Sequence, residues 1–267
     1  MQELLFVRHL EDIDDLCTEG RDNPVSPSEV IYVKDIIEIL IKHLGYYTDK
    51  KPAFITSGQK RTQQTADYIK KYLEEHFPSL ASALIVDERT AGLYHGSYKK
   101  LPIKELNEVR DLAWEAYLTE TFKNKNMYYR HGDPILLEEA ETVRKYRYPE
   151  INGTFTKHGE NQIEHSIRLY EFLIDLVNNY YGEEKNVVPI IIGHSLVAFR
   201  LFEISEVFRL GIDYQQGELM HKEFSVDLAS VMDSVMSPPY TTKINVQPLM
   251  NNIQKLSLEL EQLKENL

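Results

Sequence analysis

Val187-Val188-Pro189-Ile190-Ile191-Ile192 is the most apolar run of the chain. It is far short of the ~20 residues a membrane span needs, and its length and β-branched content predict a strand central to a sheet. Gly193-His194-Ser195 then turns it into a helix over about 195–209. The same alternation recurs upstream. Strands are predicted at 3–8, 52–57 and 84–86, and two more short ones within 212–247. Helices are predicted at roughly 29–44, 59–75 and 160–181. Val30, Ile31, Val33, Ile36, Ile37, Leu40, Ile41 and Leu44 keep helical spacing in the first of these, with Ser28 as its cap and Gly45 as its stop. Strands alternating with helices imply an α/β fold: a three-layer α/β/α arrangement around a mainly parallel sheet.

The predicted domain spans residues 1–247. Within it, 98–180 reads as a mainly helical insertion over the sheet edge, with helices at 102–122 and about 133–147 and a loop at 148–159. The C-terminal segment, 248–267, is distinct. Leu249, Ile253, Leu256, Leu260, Leu263 and Leu267 alternate four- and three-residue spacing, a heptad seam. Two expectations stand side by side: a helix packed on its own domain, or a coiled coil supporting a homodimer or a protein partner.

Composition narrows the function. The formal net charge is −12, which argues against a nucleic-acid or anionic-membrane surface while leaving room for a locally basic pocket. A single cysteine, Cys17, rules out an intrachain disulfide and fits a reducing compartment. The N-terminus reads as a strand rather than a signal peptide, so a cytoplasmic location is expected.

The chemistry-bearing residues stand at strand ends. Arg8 and His9 follow the first strand, Ser57 and then Arg61 the second, Glu88 the third, and His194 the apolar strand. In a parallel sheet these ends share one edge. Arg8 and Arg61 can grip two phosphoryl oxygens and His194 a third. The helix start after Thr56-Ser57 adds backbone N–H donors. His9 can act as nucleophile if a backbone carbonyl holds its other ring nitrogen. Glu88 can protonate the leaving oxygen and then activate water. No cluster has trustworthy metal-ligand spacing, and no cofactor is implied.

Four blocks carry a family resemblance: Val7-Arg8-His9, the stretch 56–66, the stretch 88–96, and Ile191-Ile192-Gly193-His194-Ser195. In this order they resemble the histidine phosphatase superfamily, the phosphoglycerate-mutase-like group that includes fructose-2,6-bisphosphatases. A weaker echo lies at 145–149 and 159–161. The resemblance implies a metal-independent phosphomonoester hydrolase acting on a small phosphorylated metabolite. By resemblance His9 is phosphorylated, Arg8, Arg61 and His194 form the phosphate pocket, and Glu88 is the proton donor. Ser57, Ser195 and Tyr94 are counted as substrate or phosphate contacts. His95, Lys145 and Arg147 are weaker candidates.

Three positions depart from the family pattern. Leu10 and Ser195 stand where glycine is usual, and Asp15 stands at the position of an asparagine. They motivate the alternative of a non-catalytic binding or regulatory module. A phosphoglycerate-type mutase is a further alternative, disfavoured because the arginine-rich insertion segment of mutases is not seen. Tyr129-Arg130-His131-Gly132-Asp133 imitates the family tripeptide, but it follows Lys123-Asn124-Lys125-Asn126 rather than a buried strand.

Overall fold

The computed structural model of the chain describes residues 2–13, 23–45, 50–80, 82, 84–92, 129–130, 133–134, 162–181, 187–210, 230–231 and 233–265. Strands β1 (Glu3–Arg8), β2 (Lys51–Thr56), β3 (Leu84–Val86), β6 (Val187–Gly193) and β7 (Thr241–Asn245) form one sheet in the order β3-β2-β6-β1-β7. β6 lies at its centre, paired in parallel with both β1 and β2, and β2 pairs in parallel with β3. Only β7, at the edge, runs antiparallel. β4 (Tyr129–Arg130) and β5 (Asp133–Pro134) form a separate two-stranded ribbon.

The alternation of side chains along β1 explains the layers. Leu4 and Phe6 point into one apolar cluster, built with α3 (Gln162–Tyr180), α4 (Ser195–Leu210), α5 (Gln247–Asn251) and α6 (Ile253–Glu265). Leu5 and Val7 point into a second cluster, built with α1 (Val33–Leu44) and α2 (Lys60–His76). β6 divides in the same way, with Ile191 on the first face and Ile190 and Ile192 on the second. A strand covered on both faces has no polar side to show, which is why its sequence reads as a continuous apolar run.

Several sequence expectations need correction. The helix expected from 29 begins as a 3-10 turn, Pro27–Tyr32, and becomes α-helical only at Val33. Ser28 does not cap it; its hydroxyl pairs with that of Ser26, and Pro27 occupies the first turn. Of the two short strands expected within 212–247, the described residues contain one, β7. Asp133–Pro134 is strand, not the start of a helix. The helix expected at 102–122 and the loop at 148–159 lie outside the described residues.

The C-terminal seam follows the first of its two expectations, a helix packed on its own domain. Leu249, Leu256, Leu260 and Leu263 are buried in the same cluster as Leu4 and Phe6. Tyr170 donates its hydroxyl to Glu259 at 2.9 Å, and Lys264 pairs with Glu171 at 3.0 Å, so α6 is docked on α3. The seam thus belongs to the core of the domain and is not an open surface. Among the described residues no helix is long and apolar enough to cross a membrane.

Candidate active site

The sheet register places the candidate residues together. Arg8 sits opposite Gly193, and Thr56 sits opposite both Ile192 and Val86, so β1, β2, β3 and β6 end level with one another. The backbone leaving β1 is held by three different elements. The Arg8 N–H donates to the Tyr240 carbonyl (2.8 Å), that of His9 to the Gly193 carbonyl (2.9 Å), and that of Leu10 to Thr65 Oγ1 (3.0 Å). Leu10 itself is fully buried in the second cluster. This side chain is therefore a core residue beneath the site.

His9 is buried, and its Nδ1 lies 2.7 Å from the Leu10 carbonyl oxygen. A carbonyl only accepts, so Nδ1 carries the proton and Nε2 keeps a free lone pair. Burial, followed by the neighbouring His194 and Arg61, holds the His9 pKa well below the usual histidine value. The ring is neutral at neutral pH.

His194 faces His9 edge-on, with ring centroids 5.0 Å apart. Its own pKa is held well below the usual value by burial, then by Arg61 and Arg8. Arg61 Nη2 lies 3.4 Å from His194 Nδ1 and can only donate, so that nitrogen accepts. The proton is then on Nε2, 3.3 Å from Ser57 Oγ. Ser57 Oγ lies 2.9 Å from Thr62 Oγ1, which donates to the Gln59 carbonyl at 2.8 Å. Arg61 at one end and a carbonyl at the other orient every proton in this chain. Gly58, between Ser57 and α2, has φ +78°, and a Cβ there would meet Val86 Cγ1 at 2.9 Å.

Both arginines carry carboxylate partners. Arg8 Nη1 donates to Glu11 Oε1 at 2.5 Å, and Arg61 Nη1 to Asp12 Oδ2 at 2.8 Å. The Arg8 guanidinium also lies over the Tyr240 ring, 5.6 Å from its centroid. Tyr240 in turn donates its hydroxyl to Glu29 at 2.7 Å. Its phenol pKa is raised by burial and by that carboxylate. The start of α4 adds to the cationic character, since His194 sits at its N-terminus and its carbonyl accepts from Val197 and Ala198.

The third strand end closes the rim. Asp87 follows β3, and its N–H donates to the Thr56 carbonyl at 2.8 Å. Glu88 opens the 3-10 turn Glu88–Thr90 and is exposed. Gly92, just beyond, packs on the second histidine; a Cβ there would lie 3.3 Å from His194 Cγ.

Among solved structures, the chain resembles phosphoglycerate mutase from Bacillus anthracis str. Sterne, with 15% identity and a TM-score of 0.52 over 77% of this chain and 80% of that one. The chain has the histidine phosphatase fold. A mycobacterial glucosyl-3-phosphoglycerate phosphatase (14% identity, 76% of this chain, 80% of that one) and the alpha-ribazole phosphatase from Shigella flexneri (12%, 79% and 81%) are also similar, each at a TM-score of 0.46. No family model matches the chain, and no curated protein sequence matches it.

Within this histidine phosphatase fold, Arg8, His9, Ser57, Arg61 and His194 come together, with Glu88 at the rim of the same sheet edge. Ser195 is the first residue of α4 and half-buried. Tyr94, His95, Asp15, Lys145 and Arg147 lie outside the described residues. The imitation tripeptide at 129–133 contributes Arg130 and Asp133 as paired strand residues of the β4–β5 ribbon, outside the main sheet. Sequence reasoning missed Glu11, Asp12, Thr62, Thr65 and Tyr240. Only Glu11 and Asp12 carried a signal, two acids one residue past Arg8-His9. Among the described residues, no group of three or more His, Cys, Asp or Glu is arranged to hold a metal ion.

Proposed function

We propose that the protein is a phosphomonoester hydrolase working through a phosphohistidine on His9, with a small phosphorylated metabolite as substrate. One observation carries this reading: a buried, neutral His9 whose Nδ1 proton is held by the Leu10 carbonyl, leaving Nε2 as a lone pair among Arg8, Arg61 and His194. Two arginines hold the non-bridging oxygens, and His9 Nε2 attacks phosphorus in line with the leaving oxygen. The P–O bond breaks as the Glu88 carboxylic acid gives its proton to that oxygen. In the second half, the Glu88 carboxylate takes a proton from water. The resulting hydroxide attacks phosphorus, the P–N bond breaks, and neutral His9 returns.

The test compares wild type with His9→Ala on p-nitrophenyl phosphate between mildly acidic and neutral pH, together with trapping of an acid-labile phosphoprotein. Turnover lost in His9→Ala, with label on wild type alone, is expected. Wild type no faster than the variant, and no phosphometabolite turned over, would sink the enzyme reading. That outcome would favour a second reading, a fold kept for binding, for which the Glu11–Arg8 and Asp12–Arg61 pairs speak, because they set carboxylates on both arginines.

A further inference from the structure

Glu88 is the exposed first residue of a short turn, and a proton donor in such a place needs something to hold it. The 3-10 turn Glu88–Thr90 and the two residues after it are held internally only by the backbone bonds from the Thr90 N–H to the Asp87 carbonyl and from the Ala91 N–H to the Glu88 carbonyl. Its remaining carbonyls point out of its C-terminal end, where partial negative charge collects.

One side chain meets them. Arg168 projects from α3, and its Nη1 lies 3.2, 2.6 and 3.0 Å from the carbonyl oxygens of Glu88, Arg89 and Ala91. Its Nη2 reaches the Gly92 carbonyl at 3.3 Å. A planar guanidinium with five N–H groups can bridge several acceptors at once, which an ammonium point charge does not do with comparable geometry. A reciprocal tether runs the other way. Arg89 donates to Asp175 on α3 at 2.5 Å and lies over the Phe172 ring, 5.9 Å from its centroid. Positions 168, 172 and 175 are four and three residues apart, so they share one face of the helix. The same Arg89 holds Asp87 through Nε at 3.0 Å and Nη2 at 2.7 Å. Burial pushes the Asp87 carboxyl up, but the bonds from Arg89 outweigh it and keep it below its ordinary value.

We infer that Arg168 is a positioning residue that aims Glu88 at the leaving oxygen by clasping the four carbonyls of its turn to α3. This rests on the hydrolase reading above and gives Arg168 a role that acts through Glu88. It predicts a loss that depends on whether the leaving group needs a proton.

The experiment measures kcat/KM for p-nitrophenyl phosphate, whose leaving group departs without a proton, and for an alkyl phosphate such as glycerol phosphate, whose leaving group needs one. The ratio kcat/KM covers steps up to phosphorylation of His9 and is blind to the later attack of water. In Arg168→Ala the alkyl phosphate is expected to lose on the order of 100-fold and the aryl phosphate less than about fivefold, the same pattern as Glu88→Gln. Equal loss for both substrates would make Arg168 merely structural and overturn the inference while leaving the hydrolase standing. Wild type inactive on both substrates would instead overturn the hydrolase and the inference with it. Should Arg168→Ala fail to fold, Arg168→Lys decides: a folded protein with the wild-type ratio between the two substrates overturns the inference, and a ratio shifted against the alkyl phosphate supports it.

Discussion

Asp12 accepts a 2.8 Å hydrogen bond from Arg61, one of the two arginines facing the paired histidines. The pair is largely shielded from water, with 22% and 13% of the two side chains exposed. A carboxylate there satisfies Arg61 and also repels an incoming phosphate dianion. Asp12→Asn keeps a hydrogen-bond acceptor and removes the charge. About tenfold tighter binding of inorganic phosphate is expected, from roughly 1.4 kcal/mol of relieved repulsion. Calorimetric titration of wild type and variant measures it. Unchanged or weaker binding would show that Asp12 serves only to place Arg61.

Leu10 offers a separate test, because it departs from the pattern of the resembled family while its side chain lies in the core. Leu10→Ala is expected to cost about 2–5 kcal/mol, the usual range for emptying a fully buried leucine site. Urea unfolding reads this directly. A loss of less than about 1 kcal/mol would mean that the side chain is not packed as described.

The docked C-terminal helix makes two neighbouring leucines behave oppositely. Leu260 is 6% exposed and Leu258 65%. Leu260→Ala is expected to cost about 3 kcal/mol and Leu258→Ala less than about 0.5 kcal/mol, both independent of protein concentration. A stability that rose with concentration and fell in Leu260→Ala would instead point to a seam shared between chains.

Buried histidines set the acid side of stability. Burial, with Lys243 adding and Glu3 opposing, takes His43 down to about 4. Above the unfolded value of about 6.5, both folded and unfolded forms are neutral and His43 contributes no pH dependence. As pH falls below it, only the unfolded chain takes up the proton, so the folded state loses ground until the folded pKa is passed. His9 and His194 act in the same direction. For His43 the expected loss is about 3 kcal/mol by pH 4. Unfolding free energies at pH 7, 6 and 5 for wild type and His43→Gln would measure it, with a shallower decline expected in the variant. Parallel declines would exclude His43 as a contributor.

Much of this molecule was legible in local sequence. The apolar runs at 3–8, 52–57, 84–86 and 187–192 read correctly as strands: burial on both faces leaves the inner three little choice of residue, and the half-exposed edge strand 84–86 keeps its apolar character in three β-forming or apolar residues. Parallel pairing then put the residues just past them, Arg8, His9, Ser57, Arg61, Glu88 and His194, on one edge. Local pattern could not assign partners across the chain. Asp12 meets Arg61 across 49 residues, and Arg168 meets Arg89 across 79. An acid beside a cationic pair, or an arginine on a helix, looks the same whether it faces solvent or a distant turn. The leucine seam had the same ambiguity: its spacing defines an apolar face but not what covers that face. Leu10 stood in the sequence only as a departure from a usual glycine, and only the fold shows that its side chain turns down into the core. Periodicity and residue chemistry therefore decided the elements and the candidate site residues. Tertiary packing decided which carboxylates sit on the arginines, what holds the Glu88 turn, and that the last helix closes its own core, because those contacts depend on how distant surfaces meet.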